Sequence, residues 1–264
     1  VTTPQTVLLD LEGTLYTRDG VIDGAAEAVR RLRADGHVLR FLTNTDSQGT
    51  ADLHAALVAR GLEVPAQELF TPVVAASVAL ADDPGARVLV LGTAAVTAEL
   101  AARLTVVGPG EEPTHVVVGD VRHSLTYDLL DGAFAALHGG ARLVALQKGR
   151  FFLSGGVAHL DTGAVVAALE HAAAVEALVV GKPSTDFVRL ALRSAPGSMD
   201  PGRTWVVGDD ASTDVAMGLA FGARTVQVRT GKFALQSGDP SLPRAGAVVD
   251  SVADLPELMR SEAP

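Results

Sequence analysis

Short apolar runs alternate with amphipathic stretches along the whole of this chain. Residues 7–9, 38–42, 87–91, 115–118, 142–147, 177–180, 205–207, 225–228 and 247–249 read as strands. Runs of this kind, with little polar alternation, mark strands buried on both faces of a parallel sheet. Between them, apolar positions recur at helical spacing over residues 24–34, 50–60, 73–81, 94–103, 127–138, 163–174, 184–193 and 215–221. A short helix is expected after Asp254. In the first helix Ala25, Ala28, Val29 and Leu32 share one face, and Gly36 stops it. Such alternation predicts an α/β fold with parallel strands. The turn cluster Asp82-Asp83-Pro84-Gly85 marks a boundary. The expected organisation is a core built from residues 1–81 and 177–264, with a second α/β domain inserted over residues 82–176.

Composition narrows the function classes. The chain has 264 residues, no cysteine and a formal net charge of −10. Disulfides, thiolate nucleophiles and cysteine zinc sites are excluded, and a reducing, cytoplasmic location fits. Lys and Arg are scattered, so nucleic acid and anionic membranes are not expected partners. With no basic-then-apolar leader and no apolar run near 18 residues, a soluble protein is expected. Two residue types are scarce: Asn44 is the only asparagine, and Lys148, Lys182 and Lys232 are the only lysines. Arg does not always replace a compact ammonium, so each of the three invites a role.

Chemistry collects at the ends of predicted strands. Asp10 and Glu12 follow the first, where residues two apart point to one side. Paired acids repel, and a hard divalent cation bound through oxygen is the economical way to neutralise them. Thr43 and Asn44 follow the second strand, Lys182 follows residues 177–180, and Asp209-Asp210 with Asp214 follow residues 205–207. If the strands are parallel and share a sheet, all four groups lie on one edge, where open α/β sheets bind ligands. Carboxylates, a hydroxyl with an amide, one cation and further carboxylates would together hold Mg²⁺ and a phosphoryl group.

Asp10-Leu11-Glu12-Gly13-Thr14, Thr43, Lys182 and Gly208-Asp209-Asp210 with Asp214 resemble, in order and spacing, the motifs of the haloacid dehalogenase superfamily. The long insert is similar to the α/β cap of its type IIA, NagD-like branch. Leu129–Phe134, Lys148–Phe152, Val180–Pro183 and Arg229–Lys232 are most similar to the group containing haloacid dehalogenase-like hydrolase domain-containing protein two and the phospholysine, phosphohistidine and pyrophosphate phosphatases. The resemblance implies a Rossmann-like doubly wound core with an inserted C2-type cap. It also implies a Mg²⁺-dependent phosphatase for small phosphorylated metabolites, working through an aspartyl phosphate. Asp10 would be the nucleophile and Glu12 the partly buried acid/base. Asp10, the Glu12 backbone carbonyl and Asp209 would hold the metal. Thr43 and the Asn44 N–H would hold a phosphate oxygen, and Lys182 would pair with Asp10 and phosphate. Asp214 would orient metal-bound water or Lys182, while Asp210 receives no role. A homodimer through the cap is one expected assembly, with the oligomeric state left open.

One departure stands out. The family's second acid is usually Asp, and the most similar groups often carry Ser there, whereas this chain has Glu12. Enolase-phosphatases share the Asp-x-Glu-Gly-Thr pattern, so an acid/base role and a slow or structural role both stay open. Lys148 and Arg150 fall where the type IIA cap presents its specificity loop; an anionic leaving group and a solvated hairpin are equal readings. The seven histidines lack metal-ligand spacing, and Gly119-Asp120 reads as a strand-to-helix turn. Neither a P-loop nor a dinucleotide fingerprint is present. Rival readings are a catalytically weak binding protein and, less favoured, a phosphoryl-accepting signalling domain.

Overall fold

The computed structural model describes residues 4–154 and 157–262. It opens with β1 (Thr6–Asp10), β2 (Tyr16–Thr17), β3 (Gly20–Val21), α1 (Ala25–Ala34), β4 (Val38–Leu42), α2 (Thr50–Ala59), β5 (Leu69–Phe70) and α3 (Pro72–Leu80). Next come β6 (Arg87–Leu91), α4 (Ala94–Ala101), β7 (Thr105–Val106), β8 (His115–Val118), α5 (Tyr127–His138) and β9 (Arg142–Ala145). They are followed by β10 (Phe151–Ser154), β11 (Val157–Leu160), α6 (Thr162–Ala173), β12 (Leu178–Val179) and α7 (Thr185–Arg193). The last stretch holds β13 (Thr204–Gly208), α8 (Ala216–Phe221), β14 (Arg224–Val228), α9 (Phe233–Gln236), β15 (Ala247–Val249) and α10 (Leu255–Ser261). Two compact units result: Val1–Thr43 with Leu53–Phe70 and Pro183–Pro264, and Asn44–Asp52 with Thr71–Lys182. Among the described residues no helix is long and apolar enough to cross a membrane.

The first unit is built on a parallel sheet in the order β15-β14-β13-β1-β4-β5. Every residue of β1 is buried, as a run without polar alternation requires. Val7 and Leu9 pack with Phe41, Trp205, Val207 and the α1 residues Val29 and Leu32 in one core. Burying each of these large side chains contributes about 1.5–3 kcal/mol. The chain leaves β1 toward β4 on one side and returns as β13 on the other, so the strand order reverses beside β1. In open α/β sheets ligands bind outside the carboxyl ends of the strands at such a point.

The second unit has its own parallel sheet, β12-β9-β8-β6-β7. Leu89, Val116, Val118, Leu143 and the helix residues Ala133, Leu137, Val166 and Leu169 form its core. Thr126 caps α5 and Asp161 caps α6 through side-chain acceptors. The antiparallel pair β10–β11 is an addition to the predicted elements. Its Phe152 ring meets the Arg122 guanidinium, 4.1 Å from the ring centroid, and stacks on the His159 ring at 5.3 Å.

The sheet pairing corrects the expected placement of residues 177–180. β12 pairs with β9, Leu178 opposite Val144 and Val179 opposite Ala145, and Val180 N–H donates to the Ala145 carbonyl at 2.9 Å. This strand therefore ends the second sheet, and Lys182 does not leave the sheet that carries Asp10. A short apolar run specifies a strand without specifying its neighbour, so the sequence pattern could not distinguish the two sheets. Residues 44–52 and α3 also group with the second unit. There Glu99 of α4 accepts from both the N–H and the hydroxyl of Thr50, each at 2.6 Å, and Thr93 donates to the Ser47 carbonyl.

Asp46 is buried in this second unit and accepts from the Thr162 hydroxyl at 2.6 Å. Burial pushes its carboxyl up from 3.8 to about 6 against that hydrogen bond, with Asp161 and Asp120 adding to the rise. A carboxyl with a raised folded-state pKa binds its proton more tightly when folded. Stability is therefore full below the unfolded value, falls as pH rises through about 6, and then levels. Asp46→Asn keeps the acceptor and removes the charge. Urea unfolding should find it equal to the parent near pH 4 and more stable by up to about 3 kcal/mol at pH 8. In the first unit, Leu9→Ala should lower stability by about 2–5 kcal/mol, read through the fluorescence of Trp205, the chain's single tryptophan.

Candidate active site

Asp10 closes β1 opposite Leu42 of β4, so Thr43 stands one residue beyond on the neighbouring strand. On the other side Leu9 is in register with Val207, which brings Asp209 alongside. After Asp10 the chain turns at once: the Thr14, Leu15 and Tyr16 N–H groups all donate to the Leu11 carbonyl. Thr14 in this turn donates its hydroxyl to Asp10 Oδ2 at 3.0 Å. After β13 a π-helical turn, Ala211–Val215, swings Asp214 back. Its carboxylate stands with those of Asp10 and Asp209, all three residues buried and offering oxygens within 4.8 Å of one another. Asp214, expected to orient water or Lys182, thus belongs to the carboxylate cluster itself.

Three buried carboxylates at this spacing repel strongly unless positive charge is shared among them. An all-oxygen, acidic donor set suits a hard divalent cation such as Mg²⁺. The surrounding backbone supports Asp209 in particular. Lys232 N–H donates to Asp209 Oδ2 at 2.7 Å, and Gln227 Nε2 donates to the Asp209 carbonyl at 3.0 Å. Gly231, at φ +58°, presses so close that a Cβ would lie 2.1 Å from Asp209 Oδ2 and 2.8 Å from Gly13 Cα. Thr230 ties the same loop down by donating to the Gly13 carbonyl.

Asp210, which had no expected role, anchors that loop. Its carboxylate accepts from Lys232 Nζ at 2.7 Å, Gln236 Nε2 at 2.7 Å and the N–H and hydroxyl of Ser212 at 2.8 and 2.6 Å. Burial pushes the Asp210 carboxyl up, and the hydrogen bonds from Lys232, Ser212 and Gln236 outweigh it and hold the group down at about 2. The segment over residues 229–236, the loop after β14 together with α9, is the part of the site that the motif reading did not assign, although the scarcity of lysine singled out Lys232.

The other expected residues divide. Glu12 is exposed, not partly buried: the turn on Leu11 ends β1 at Asp10, so strand alternation no longer places residue 12. Its neighbour Tyr16 is raised above the ordinary phenol value by burial, with Glu12 and Asp10 adding and Arg60 opposing. Asn44 and Lys182 come together in the second unit, through two hydrogen bonds between the Asn44 side chain and the Lys182 backbone. Lys148 pairs with Glu170 of α6 at 2.7 Å. Arg150 is exposed, and both cations line a cavity of about 650 Å³ with Phe151, His159 and Leu160. Asp120 accepts from Arg122 N–H at 2.9 Å and pairs with its guanidinium, as a strand-to-helix turn does. Replacing Lys232 with Met removes the charged donor from buried Asp210. It should cost about 1.5–3 kcal/mol, measured as a lowered urea midpoint in the Trp205 signal.

Comparison with known proteins agrees with this arrangement. A family model described as haloacid dehalogenase-like hydrolase matches residues 7–103, and a HAD-hydrolase-like model matches residues 179–255. The chain is 35% identical over 227 residues to haloacid dehalogenase-like hydrolase domain-containing protein 2 of Mus musculus, covering 86% of this chain and 85% of that one. It is 32% identical over 263 residues to phospholysine phosphohistidine inorganic pyrophosphate phosphatase of Homo sapiens, covering 97% and 94%. Its fold is similar to that of NagD from E. coli K-12, with a TM-score of 0.84 and 28% identity over 96% of this chain and 98% of that one. With these matches spanning both motif-bearing segments and the insert between them, the chain belongs to the haloacid dehalogenase superfamily of hydrolases, in its type IIA, NagD-like branch.

Proposed function

We propose that this protein is a Mg²⁺-dependent phosphatase that hydrolyses small phosphorylated metabolites through an aspartyl-phosphate intermediate. The observation that carries the reading is the meeting of the Asp10, Asp209 and Asp214 carboxylates at the carboxyl ends of β1 and β13. Asp10 and Asp209 would hold the metal with the Glu12 backbone carbonyl, and Asp214 adds an oxygen to the same set. When bound, Mg²⁺ supplies positive charge opposite the phosphoryl oxygens.

In the first step Asp10 attacks phosphorus, the bond to the leaving oxygen breaks, and that oxygen takes a proton from Glu12. In the second, Glu12 takes a proton from water, whose oxygen attacks phosphorus and frees Asp10 and inorganic phosphate. The Thr43 hydroxyl and Asn44 N–H are assigned to a non-bridging oxygen. Lys182 is assigned the cation that offsets phosphoryl charge. Thr14, bonded to Asp10 at 3.0 Å, fixes the orientation of the nucleophile. The exposure of Glu12 favours a second reading, a catalytically weak relative in which this acid does no proton transfer.

Release of phosphate from p-nitrophenyl phosphate tests both. Repeated turnover with Mg²⁺ and its loss on chelation are expected. Asp10→Asn should lower the rate by at least about a thousandfold without unfolding the protein; persistent activity removes the nucleophile assignment. Glu12→Gln should cost about 10²–10⁴-fold if Glu12 moves the proton, and an unchanged rate selects the weak relative.

A further inference from the structure

The chain's single asparagine does more than offer a backbone N–H. Lys182 N–H donates to Asn44 Oδ1 at 2.8 Å, and Asn44 Nδ2 donates to the Lys182 carbonyl at 3.2 Å. One carboxamide thus satisfies both polar groups of a single residue's backbone, a two-point clamp rather than a single tether. The local chain needs such a clamp. β12 is two residues long and stops at Val179, so the ladder to β9 gives residue 182 little support of its own. Gly181 lets the chain pass: a Cβ there would stand 2.2 Å from the Leu146 carbonyl oxygen and 2.7 Å from Asn44 Oδ1. Lys182 itself is 4% exposed.

We propose that the Asn44 side chain is a positioning residue for Lys182, fixing its backbone so that the ammonium stands where the phosphoryl charge develops. This rests on the phosphatase reading and adds to it a second task for Asn44. The residue type follows from the geometry. Asp would keep the acceptor and set a carboxylate oxygen against the Lys182 carbonyl, and Ala would remove both partners. Gln would carry the same amide one methylene too far.

The test is a double-mutant cycle on p-nitrophenyl phosphate hydrolysis with Mg²⁺, using the full chain, Asn44→Ala, Lys182→Met and the double variant. Thermal unfolding is followed for each. A displacement of about 1 Å in a charged group costs on the order of 10²-fold. Asn44→Ala should therefore lower kcat by about 10- to 100-fold, with KM changed far less. In the Lys182→Met background the same change should cost less than about twofold, because nothing remains to position. Asn44→Asp, which keeps the acceptor for Lys182 N–H, should fall between parent and Ala and carries the same cycle if Asn44→Ala does not fold. Equal losses in both backgrounds, or no loss in the parent, overturn the positioning role alone. A parent without turnover overturns the phosphatase reading and the positioning role with it, whereas full activity in Lys182→Met removes the charge-offsetting task from Lys182, and the positioning role falls while the phosphatase reading stands.

Discussion

Like charges held together against their repulsion are the constraint around which the first unit is arranged. Asp10, Asp209 and Asp214 are all buried, with oxygens within 4.8 Å. Left alone, such carboxylates would separate or take up protons. The fold holds them in place by making each position the consequence of something rigid. Register along β1, β4 and β13 fixes two of the residues, and the π-helical turn after β13 returns the third. Backbone and hydroxyl donors then face the cluster: Thr14 toward Asp10, the Lys232 N–H toward Asp209. Gly231 lets that donor approach where any side chain would collide with the carboxylate. Under the proposed function, a site arranged this way would meet its cation with the donors already in place.

Much of this was readable because burial on both faces leaves a plain signature. The runs at residues 7–9, 38–42 and 205–207 could be little else than central strands, and chemistry at their ends followed from parallel order. Pairing over short distances was not readable in the same way. β12 carries the apolar signature of a strand but too few residues to announce its neighbour, and it joined the second sheet. Glu12 was placed by extrapolating strand alternation past the point where Leu11 starts a turn, so its exposure was missed. The π-helical turn has no composition of its own, so Asp214 was placed beside Asp209 but given a supporting task, without the return that brings its oxygens into the cluster. The 229–236 segment acts mainly through backbone groups and through Asp210, which no periodicity records.

The two sheets also differ in how they use their carboxyl edges. In the first, strand ends supply negative charge and small residues to one cluster. In the second, the end of β12 supplies Gly181-Lys182, which meet Asn44 from the segment after β4; the same segment carries Asp46, which accepts from Thr162 at the start of α6. Lys148 pairs with Glu170, so of the two cap cations left open between a leaving-group contact and a solvated hairpin, Arg150 is the one without an ion pair to a described residue.

The central place of β1 has a consequence for how the protein is made. One of its neighbours, β4, leaves the ribosome soon after it, while the other, β13, is delivered only after residues 11–203 have emerged. For most of translation this fully buried strand therefore presents an unsatisfied edge, the geometry that invites wrong partners. The intervening sheet, whose strands all lie between residues 87 and 179, has every pairing it needs before then. Nascent chains whose emerged part ends between residues 182 and 203 should thus hold a finished second unit and an unfinished first one, a state in which chaperone binding concentrates on the amino-terminal strands.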